Sequence, residues 1–323
     1  MSHADSSKHE LALVVARAPA KVNLRLEVLE KRGDGYHEIR TWMLAVDLCD
    51  EVRVRLARHG GVRLRVRGPQ FTSDISEDER NLAQRAARLA LDLVGRGGNS
   101  SAHGGVDVEL IKNIPSQAGL GGASSDAAAT FIAVQRAVRA DVPLEVASSA
   151  LAELGSDCAF FATARRGVAL CTGRGEHVHA SDAVPRGWRV AILTPDVLAS
   201  TARVYRAVTT PLSEHAALPS LPNAWPDVSV HAARQLSHND LEAAALDAIP
   251  GLREWRELLD ACGAEHFRMS GSGSSFFGLF DDTVDASQSL GRCLEAARTR
   301  GLPVRGSWLV RPAGLGAHIV ESC

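Results

Sequence analysis

Apolar and polar residues alternate in four short segments of the first half of the chain. In the first segment, every second residue from Val22 to Val28 is apolar and those between are polar. The other three segments span 52–56, 62–66 and 106–110. A period of two is typical of a half-buried β-strand. The turn His59-Gly60-Gly61 predicts that segments 52–56 and 62–66 form a hairpin.

Apolar residues recur at helical spacing in three segments that lie among these strands. Segment 82–93 is apolar on one face and is followed by glycines, which end helices. Segment 124–137 carries a similar stripe, and segment 143–155 starts with a proline and stops at a glycine. Strands and helices in this mixed order predict an α+β fold rather than strict β-α-β alternation.

The second half of the chain repeats the mixture of strands and helices. Its predicted strands span 168–171, 189–193, 276–280 and 307–310, and its helices 240–248, 252–261 and 284–300. A proline-rich segment at 209–227 predicts an irregular loop. We predict a disordered tail over 1–15, one domain over 16–172 and a second over 173–323.

Composition excludes several classes of protein. The chain has 323 residues, 45% apolar content and a net charge of −2, which disfavours a nucleic-acid coat and a disordered chain. It contains no apolar run of the length of a membrane span, and its polar N-terminal segment predicts no secretory signal. Six cysteines without a CxxC pair predict reduced thiols in a cytoplasmic protein.

The stretch 114–126 carries the clearest chemical signal. Its flexible positions are Gly119, Gly121 and Gly122. Ser124 and Ser125 follow at a predicted helix start, where free amides and the helix dipole attract an anion. The stretch lacks the Gly-Lys-Ser/Thr of a Walker A loop and the third glycine of a dinucleotide-binding loop. From the glycines alone, a phosphate cradle and a plain flexible loop are equally supported.

Two further segments carry polar residues in apolar surroundings. Lys21 and Asn23 lie two residues apart on a predicted strand and therefore point the same way. An edge-strand lysine in solvent is the simpler explanation of the first. The segment 269–275 holds two glycines and four serines between apolar strands. It is either a plain turn or a second wall around a phosphate.

These three segments, in this order and spacing, resemble those of the GHMP kinases, the family of galactokinase, homoserine kinase and mevalonate kinase. Further matching motifs are Asp-Gly-Tyr-His at 34–37, Glu-Arg-Asn-Leu at 79–82, Leu-Gly-Ser-Asp at 154–157, Thr-Gly-Arg-Gly-Glu at 172–176, Ser-Thr-Ala-x-Val-Tyr-Arg at 200–206 and Asn-Asp-Leu-Glu at 239–242. The resemblance runs from about residue 16 to 312. It implies the two-domain GHMP fold, with an N-terminal mixed sheet and helices and a C-terminal α/β sandwich.

The resemblance also implies a reaction. Within the family, the motifs match the member that phosphorylates the C2 hydroxyl of a CDP-linked methylerythritol, on the non-mevalonate route to isoprenoid precursors. Asp157 corresponds to the catalytic base and Lys21 to the active-site cation. The implied donor is ATP with Mg²⁺, for which Ser125 is the candidate protein ligand.

The resemblance assigns binding roles to three groups of residues. The ATP-binding group is Asn81, Lys112, Pro115, Ser116, Gln117, Ala118, Gly119, Leu120, Gly121, Gly122, Ala123, Ser124 and Ser125. The acceptor-binding group is Asn23, Tyr36, His37 and Tyr205, and the second phosphate wall is Gly271, Ser272 and Gly273. Ala123 stands where the family often has glycine, and the pair Ser116-Gln117 is unusual for it.

Simpler structural explanations exist for several of these residues. Without the family match, Asp157 would be a helix N-cap, Tyr205 a core residue, Asn81 a helix-start residue and Lys112 a solvated lysine at a strand end. Alternative functions are a mevalonate or homoserine kinase and a nucleotide-binding protein without catalysis. An RNA-binding module is disfavoured by the neutral charge. We expect small-molecule partners and neither nucleic acid nor membrane, and the sequence leaves the oligomeric state open.

Overall fold

The structure is a computed structural model that describes residues 13–96, 104–164, 166–208 and 228–322. Most of the tail predicted over 1–15, and the proline-rich segment 209–227, lie outside these residues. The described chain forms two β-sheets with helices packed on both. None of its described helices is long and apolar enough to cross a bilayer.

The first sheet takes strands from both halves of the chain. They are β1 (Leu13–Lys31), β2 (His37–Ala57), β3 (Gly61–Arg67), β4 (Gly105–Ile111), β5 (Val168–Gly173), β6 (His177–Ala180), β8 (His238–Asn239) and β12 (His318–Ser322). The second sheet has the order β11 (Val304–Val310), β7 (Arg189–Pro195), β10 (Phe276–Phe280) and β9 (Arg268–Met269). The strand predictions for 22–28, 168–171, 189–193, 276–280 and 307–310 are confirmed.

Nine helices lie in the described residues. They are α1 (Leu82–Arg96), α2 (Gly122–Ala137), α3 (Leu144–Leu154), α4 (Ser156–Thr163), α5 (Thr201–Ala207), α6 (Val230–Leu236), α7 (Leu241–Ala248), α8 (Leu252–Ala261) and α9 (Thr283–Arg300). All six predicted helices are present, with ends that differ by a few residues. The stop predicted at Gly155 is real, but the chain resumes a helix at the next residue as α4.

The predicted hairpin of segments 52–56 and 62–66 is wrong. In the structure β4 lies between β2 and β3, antiparallel to the first and parallel to the second. The parallel pair is joined through α1, the usual crossover helix of a β-α-β unit. The side chains of Val106, Val108 and Leu110 are buried. A local turn signal therefore cannot reveal a strand that joins the sheet some forty residues later.

Both faces of strand β1 are covered by other parts of the protein. Ala16 and Ala18 pack with α1 and α2 in one core, which also holds Phe131. Farther along, Val22 and Leu24 belong to a core shared with the second sheet. A register shift after Pro19 separates the two stretches. Side chains of β1 near residue 21 therefore lie in the interior, between the two halves of the molecule.

The second half of the chain builds most of a further core, to which Leu26, Val28 and Ile39 of the first half also belong. Trp255, Phe267 and Phe276 are fully buried among α7, α8, α9 and the second sheet. Strands β8 and β12 nevertheless return to the first sheet and pair with β1. The predicted boundary after residue 172 falls inside β5, one residue before that strand ends.

Candidate active site

A cavity of about 1380 Å³ lies between the two halves of the molecule. Ligand pockets commonly measure about 300–1,000 Å³, so this cavity has room for two small molecules. Its wall is built from β1, the loop before α2, the start of α4, helix α5 and the loop between β9 and β10. Segments that are far apart in sequence therefore meet around one space.

The glycine-rich loop needs its glycines for backbone geometry and for contact with the protein. Gly119 and Gly121 have φ angles of 75° and 70°, in the left-handed region that favours glycine. A Cβ atom at Gly119 would lie 2.1 Å from the carbonyl oxygen of Ser270. At Gly121 it would lie 3.0 Å from Cγ of Lys21. These glycines thus let the loop approach β1 and the 269–275 segment closely.

Three carbonyl groups of the loop are held from outside it. The donors are the Ser275 amide to Ala118 at 3.1 Å, the Ser270 hydroxyl to Gly119 at 2.9 Å and the Lys21 amide to Leu120 at 2.9 Å. Helix α2 then starts without a side-chain cap, and its first residues, Gly122 to Ser124, line the cavity. Uncapped amides at the start of a 16-residue helix are a natural anion-binding site.

Lys21 and Asp157 meet beside this helix start. The Lys21 Nζ atom lies 3.6 Å from Asp157 Oδ2 and donates a 2.5 Å hydrogen bond to Asn23 Oδ1. Lys21 is only 4% exposed, so it is not a solvated edge-strand lysine. Asp157 lies in the first turn of α4 and does not cap it, because the N-cap residue is Gly155. The carboxylate and the ammonium both face the cavity.

The Asn23 amide is fixed by hydrogen bonds on both sides. Its Nδ2 group donates to Thr41 Oγ1 at 2.8 Å, which directs Oδ1 toward Lys21. The Thr41 hydroxyl in turn donates to the Arg25 carbonyl at 2.8 Å. Asn23 and Thr41 are buried. This chain of donors therefore holds the Lys21 ammonium in one place.

Aromatic rings line a further part of the cavity wall, here called the aromatic end. Tyr205 of α5 stacks on His37, with ring centroids 5.4 Å apart and an interplanar angle of 29°. Tyr36 is 54% exposed, and the Arg174 guanidinium lies 5.0 Å from its ring centroid. Burial lowers the pKa of His37, helped by Lys31, which favours the neutral imidazole. This end offers flat, uncharged ring surfaces beside the cations Arg174 and Lys31.

Arg174 received no role in the sequence analysis, although its motif was recognised. The side chain lines the cavity and pairs with Glu176 at 3.4 Å. The neighbouring Gly175 lies close to Asp157, since its Cβ position would be 3.8 Å from Asp157 Oδ1. The signal that could have found Arg174 is its place between two glycines in the 172–176 motif.

Asn81 and Lys112 line the cavity, but their polar atoms are held by the protein. Asn81 caps α1, accepting from the Ala83 amide at 2.9 Å and donating to the Ser76 carbonyl at 2.7 Å. Lys112 is buried instead of solvated. Its ammonium pairs with Asp50 and, at 2.6 Å, with Asp126.

The residues assigned to phosphate and metal differ in what they reach. Ser125 is completely buried, and its hydroxyl has no hydrogen-bond partner among the described residues. Ser124 lines the cavity and Ser125 does not. Gly271 and Ser272 also line it, whereas Gly273 packs against Met269. Within the described ranges, no three His, Cys, Asp or Glu residues cluster as a metal site.

The cysteine beside Asp157 is inert packing. Cys158 is fully buried, and burial raises the pKa of its thiol to about 12. A thiol with so high a pKa is neither a nucleophile nor a metal ligand at neutral pH. The five described cysteines are all free thiols.

Comparison with known proteins places this architecture in one class. The family description "GHMP kinases N terminal domain" matches residues 81–165, and "GHMP kinases C terminal" matches residues 229–295. A homoserine kinase structure from Cytophaga hutchinsonii shares the fold at 18% identity, with a TM-score of 0.71 and 99% of each chain covered. The fold and the site thus define a GHMP-type kinase.

Curated relatives narrow the assignment to one kind of GHMP kinase. The chain is 39% identical to the 4-diphosphocytidyl-2-C-methyl-D-erythritol kinase of Geobacter metallireducens, covering 85% of this chain and 92% of the relative. It is 36% identical to the Bacillus subtilis enzyme of that name, covering 82% and 88%. A crystal structure of such a kinase matches at 35% identity and a TM-score of 0.68, covering 92% and 98%. The chain belongs to the family of 4-diphosphocytidyl-2-C-methyl-D-erythritol kinases.

Proposed function

We propose that this chain transfers the γ-phosphoryl group of ATP to the C2 hydroxyl of 4-diphosphocytidyl-2-C-methyl-D-erythritol. One observation carries the proposal. The Lys21 ammonium and the Asp157 carboxylate lie 3.6 Å apart, beside the uncapped start of α2. A hydroxyl held between them would face a phosphate bound at that helix start. Family membership supports the same acceptor.

The proposed chemistry is an in-line displacement at phosphorus. Asp157 accepts the proton of the acceptor hydroxyl as its oxygen bonds to the γ-phosphorus. The bond from the γ-phosphorus to the bridging oxygen breaks, and ADP leaves with that electron pair. The proton then passes from Asp157 to solvent. Lys21 orients the hydroxyl and offsets negative charge on the transferring group.

Mg²⁺ is proposed as part of the nucleotide substrate. The described residues around the cavity offer hydroxyl and amide groups rather than a cluster of carboxylates. Phosphate oxygens and water would therefore supply most of the metal ligands, as is usual for Mg²⁺ bound with a nucleotide. Of the two serines at the start of α2, Ser124 lines the cavity and Ser125 does not. When bound with the nucleotide, Mg²⁺ would neutralise charge on the triphosphate.

The aromatic end of the cavity is proposed to bind the cytidine part of the acceptor. Stacking of a nucleobase on an aromatic ring is worth about 1–3 kcal/mol. Tyr205, His37 and Tyr36 provide such rings. A mevalonate or homoserine acceptor has no base that would use them. The second candidate, a silent nucleotide-binding protein, gives no reason for a buried lysine to face Asp157.

A transfer assay tests the proposal. Purified protein is incubated with Mg²⁺ and γ-labelled ATP, together with CDP-methylerythritol, methylerythritol phosphate, mevalonate or homoserine. We expect label on the CDP-linked acceptor alone. Faster labelling of mevalonate or homoserine would overturn the acceptor assignment. Nucleotide binding without transfer to any of these acceptors would favour the silent protein.

Two further expectations stay predictions. The location in the cytoplasm follows from the reduced-thiol reading of the cysteines, and the lack of nucleic-acid partners from the charge balance. The structure contains one chain, and the oligomeric state stays open. Gel filtration with light scattering would measure that state directly.

A further inference from the structure

The outer end of the loop before α2 is gripped by an arginine from the second sheet. Arg305 of β11 donates to the Ser116 carbonyl at 2.7 Å and to the Ser116 hydroxyl at 3.1 Å. Ser116 and Gln117 line the cavity, whereas Arg305 lies outside its wall. The hydrogen bonds of Arg305 therefore act on the cavity through the loop.

Arg305 occupies an irregular position of its strand. In the pairing of β11 with β7, Val304 faces Pro195 and Gly306 faces Thr194, which leaves Arg305 without a partner in the register. Such a β-bulge turns one side chain away from the regular alternation of the strand. The bulge directs this side chain to the loop rather than along the sheet.

The loop residue after Ser116 has an unusual backbone. Gln117 has a φ of 51°, in the left-handed region where residues other than glycine are disfavoured. Its amide Nε2 lies 3.5 Å from Asp74 Oδ2. A hydrogen bond from Thr72 lowers the pKa of Asp74, and the charge of Arg305 lowers it further. Surrounding groups therefore hold this end of the loop in a conformation that it would not favour alone.

The hydrogen bonds from Arg305 to Ser116 add to a series of hydrogen bonds that hold the carbonyl groups of the loop. Farther along the loop, the carbonyls of Ala118, Gly119 and Leu120 accept from neutral backbone and hydroxyl donors. Ser116 is the residue at which the loop receives a charged donor, and charged donors form the stronger hydrogen bonds. With its carbonyls tied to the protein, the loop is preorganised for a ligand in the cavity.

We propose that Arg305 is a positioning residue for ATP, which holds Ser116 so that loop 115–121 keeps its ATP-receptive shape. The inference rests on the proposed function, in which this loop binds the triphosphate. Loss of the grip weakens ground-state and transition-state binding of ATP alike, which raises KM and leaves kcat unchanged. The acceptor, which binds at the aromatic end, is unaffected.

The main test is Arg305→Ala in the full-length protein, with steady-state kinetics for both substrates. We expect KM for ATP to rise about 10- to 150-fold, the range that follows loss of hydrogen bonds to a charged group. We expect kcat within about two-fold and an unchanged KM for the acceptor. Arg305→Lys keeps the charge without the two-pronged geometry and should fall between. The matched control is Arg298→Ala on the exposed face of α9.

A double-mutant cycle locates the effect. Ser116→Ala removes the hydroxyl contact and leaves the carbonyl, so KM for ATP should rise by less than in Arg305→Ala. Added to Arg305→Ala, it should have no further effect, because the donor is already absent. Additive losses would show that the two residues act independently and would overturn the proposal. If Arg305→Ala fails to fold, Arg305→Lys and Ser116→Ala carry the same test.

Direct binding separates this inference from the proposed function. Titration of each protein with a non-hydrolysable ATP analogue and Mg²⁺ gives the affinity without turnover. Wild-type protein that does not bind the analogue would refute the proposed function. Wild-type binding with equal affinity in Arg305→Ala would refute the positioning role alone. A variant with lowered thermal stability and equally raised KM for both substrates would indicate a merely structural arginine.

Discussion

Two buried lysines border the same cavity and differ in how their charge is neutralised. Lys21 is 4% exposed and Lys112 is 3% exposed, so burial alone does not distinguish them. Lys112 lies between Asp50 and Asp126, both buried, at hydrogen-bond distance. Lys21 hydrogen-bonds to the neutral Asn23, and its carboxylate partner is 3.6 Å away.

The space between the Lys21 ammonium and the Asp157 carboxylate leaves room for a substrate hydroxyl, as the proposed reaction requires. The Asp157 side chain is 24% exposed and faces the cavity, so a substrate hydroxyl can reach the carboxylate and the ammonium together. Around Lys112, Asp50 accepts from the lysine and from backbone amides such as that of Ile114. Asp126 accepts from the same lysine through one oxygen, and its other oxygen has no hydrogen-bond partner among the described residues. A closed ion cluster supports the strand end and α2, whereas an open pair can transfer a proton. The two lysines thus differ in the distance to their carboxylate partners and in whether a substrate can reach those carboxylates. These two differences distinguish Lys21, with its proposed catalytic role, from the structural Lys112.

The largest expected effect comes from breaking the open pair. Asp157→Asn removes the proton acceptor and keeps the shape of the side chain. We expect kcat to fall about 10²- to 10⁴-fold, as for loss of a general base. Thermal unfolding should stay close to wild type, and the exposed Asp141→Asn is the matched control. Turnover of Asp157→Asn near the wild-type rate would remove the catalytic role from this residue.

Removal of the closed lysine should act on stability instead. Lys112→Met leaves Asp50 and Asp126 buried without their cation, and such losses destabilise proteins by roughly 3–5 kcal/mol. Lys21→Met should reduce the free energy of unfolding less, since Asp157 retains access to water. Urea unfolding of both variants measures the difference. Equal destabilisation by the two substitutions would contradict the contrast between open and closed clusters.

A smaller effect is expected from a substitution at the aromatic end, which lines the cavity as Lys21 does. Tyr205→Ala removes a stacking surface, and a lost stack of about 1–3 kcal/mol predicts a rise of roughly 5- to 150-fold in KM for the CDP-linked acceptor. KM for ATP should not change. Tyr205→Phe keeps the ring and serves as the control. An equal rise in KM for both substrates would indicate that Tyr205 supports packing.

The sequence predicts features that depend on neighbouring residues and misses those that depend on distant ones. Periodicity placed α2 and β1, and the spacing of Lys21 and Asn23 placed both side chains on one face. Family resemblance was needed to select Asp157, because its ion pair spans more than a hundred residues. The partners of Lys112 and the grip of Arg305 arise from strand pairing across the whole chain, for which no local pattern exists.

The cluster of Lys112, Asp50 and Asp126 should also make the free energy of unfolding depend on pH. Complete burial raises the pKa of Asp126 well above its usual 3.8, opposed in part by Lys112. Between the unfolded and the raised folded pKa, the folded state binds more protons than the unfolded state. The free energy of unfolding therefore falls as pH rises through that window.

Asp126→Asn cannot ionise, so its unfolding profile should lack this fall over the same window. Urea unfolding at intervals from about pH 4 upward tests the difference between the two proteins. The exposed Asp141→Asn should follow the wild-type profile, since its carboxyl lies in solvent in both states. Parallel profiles for wild type and Asp126→Asn would mean that Lys112 keeps Asp126 ionised throughout. The cluster would then be a fully charged triad, and the contrast with Lys21 would rest on access alone.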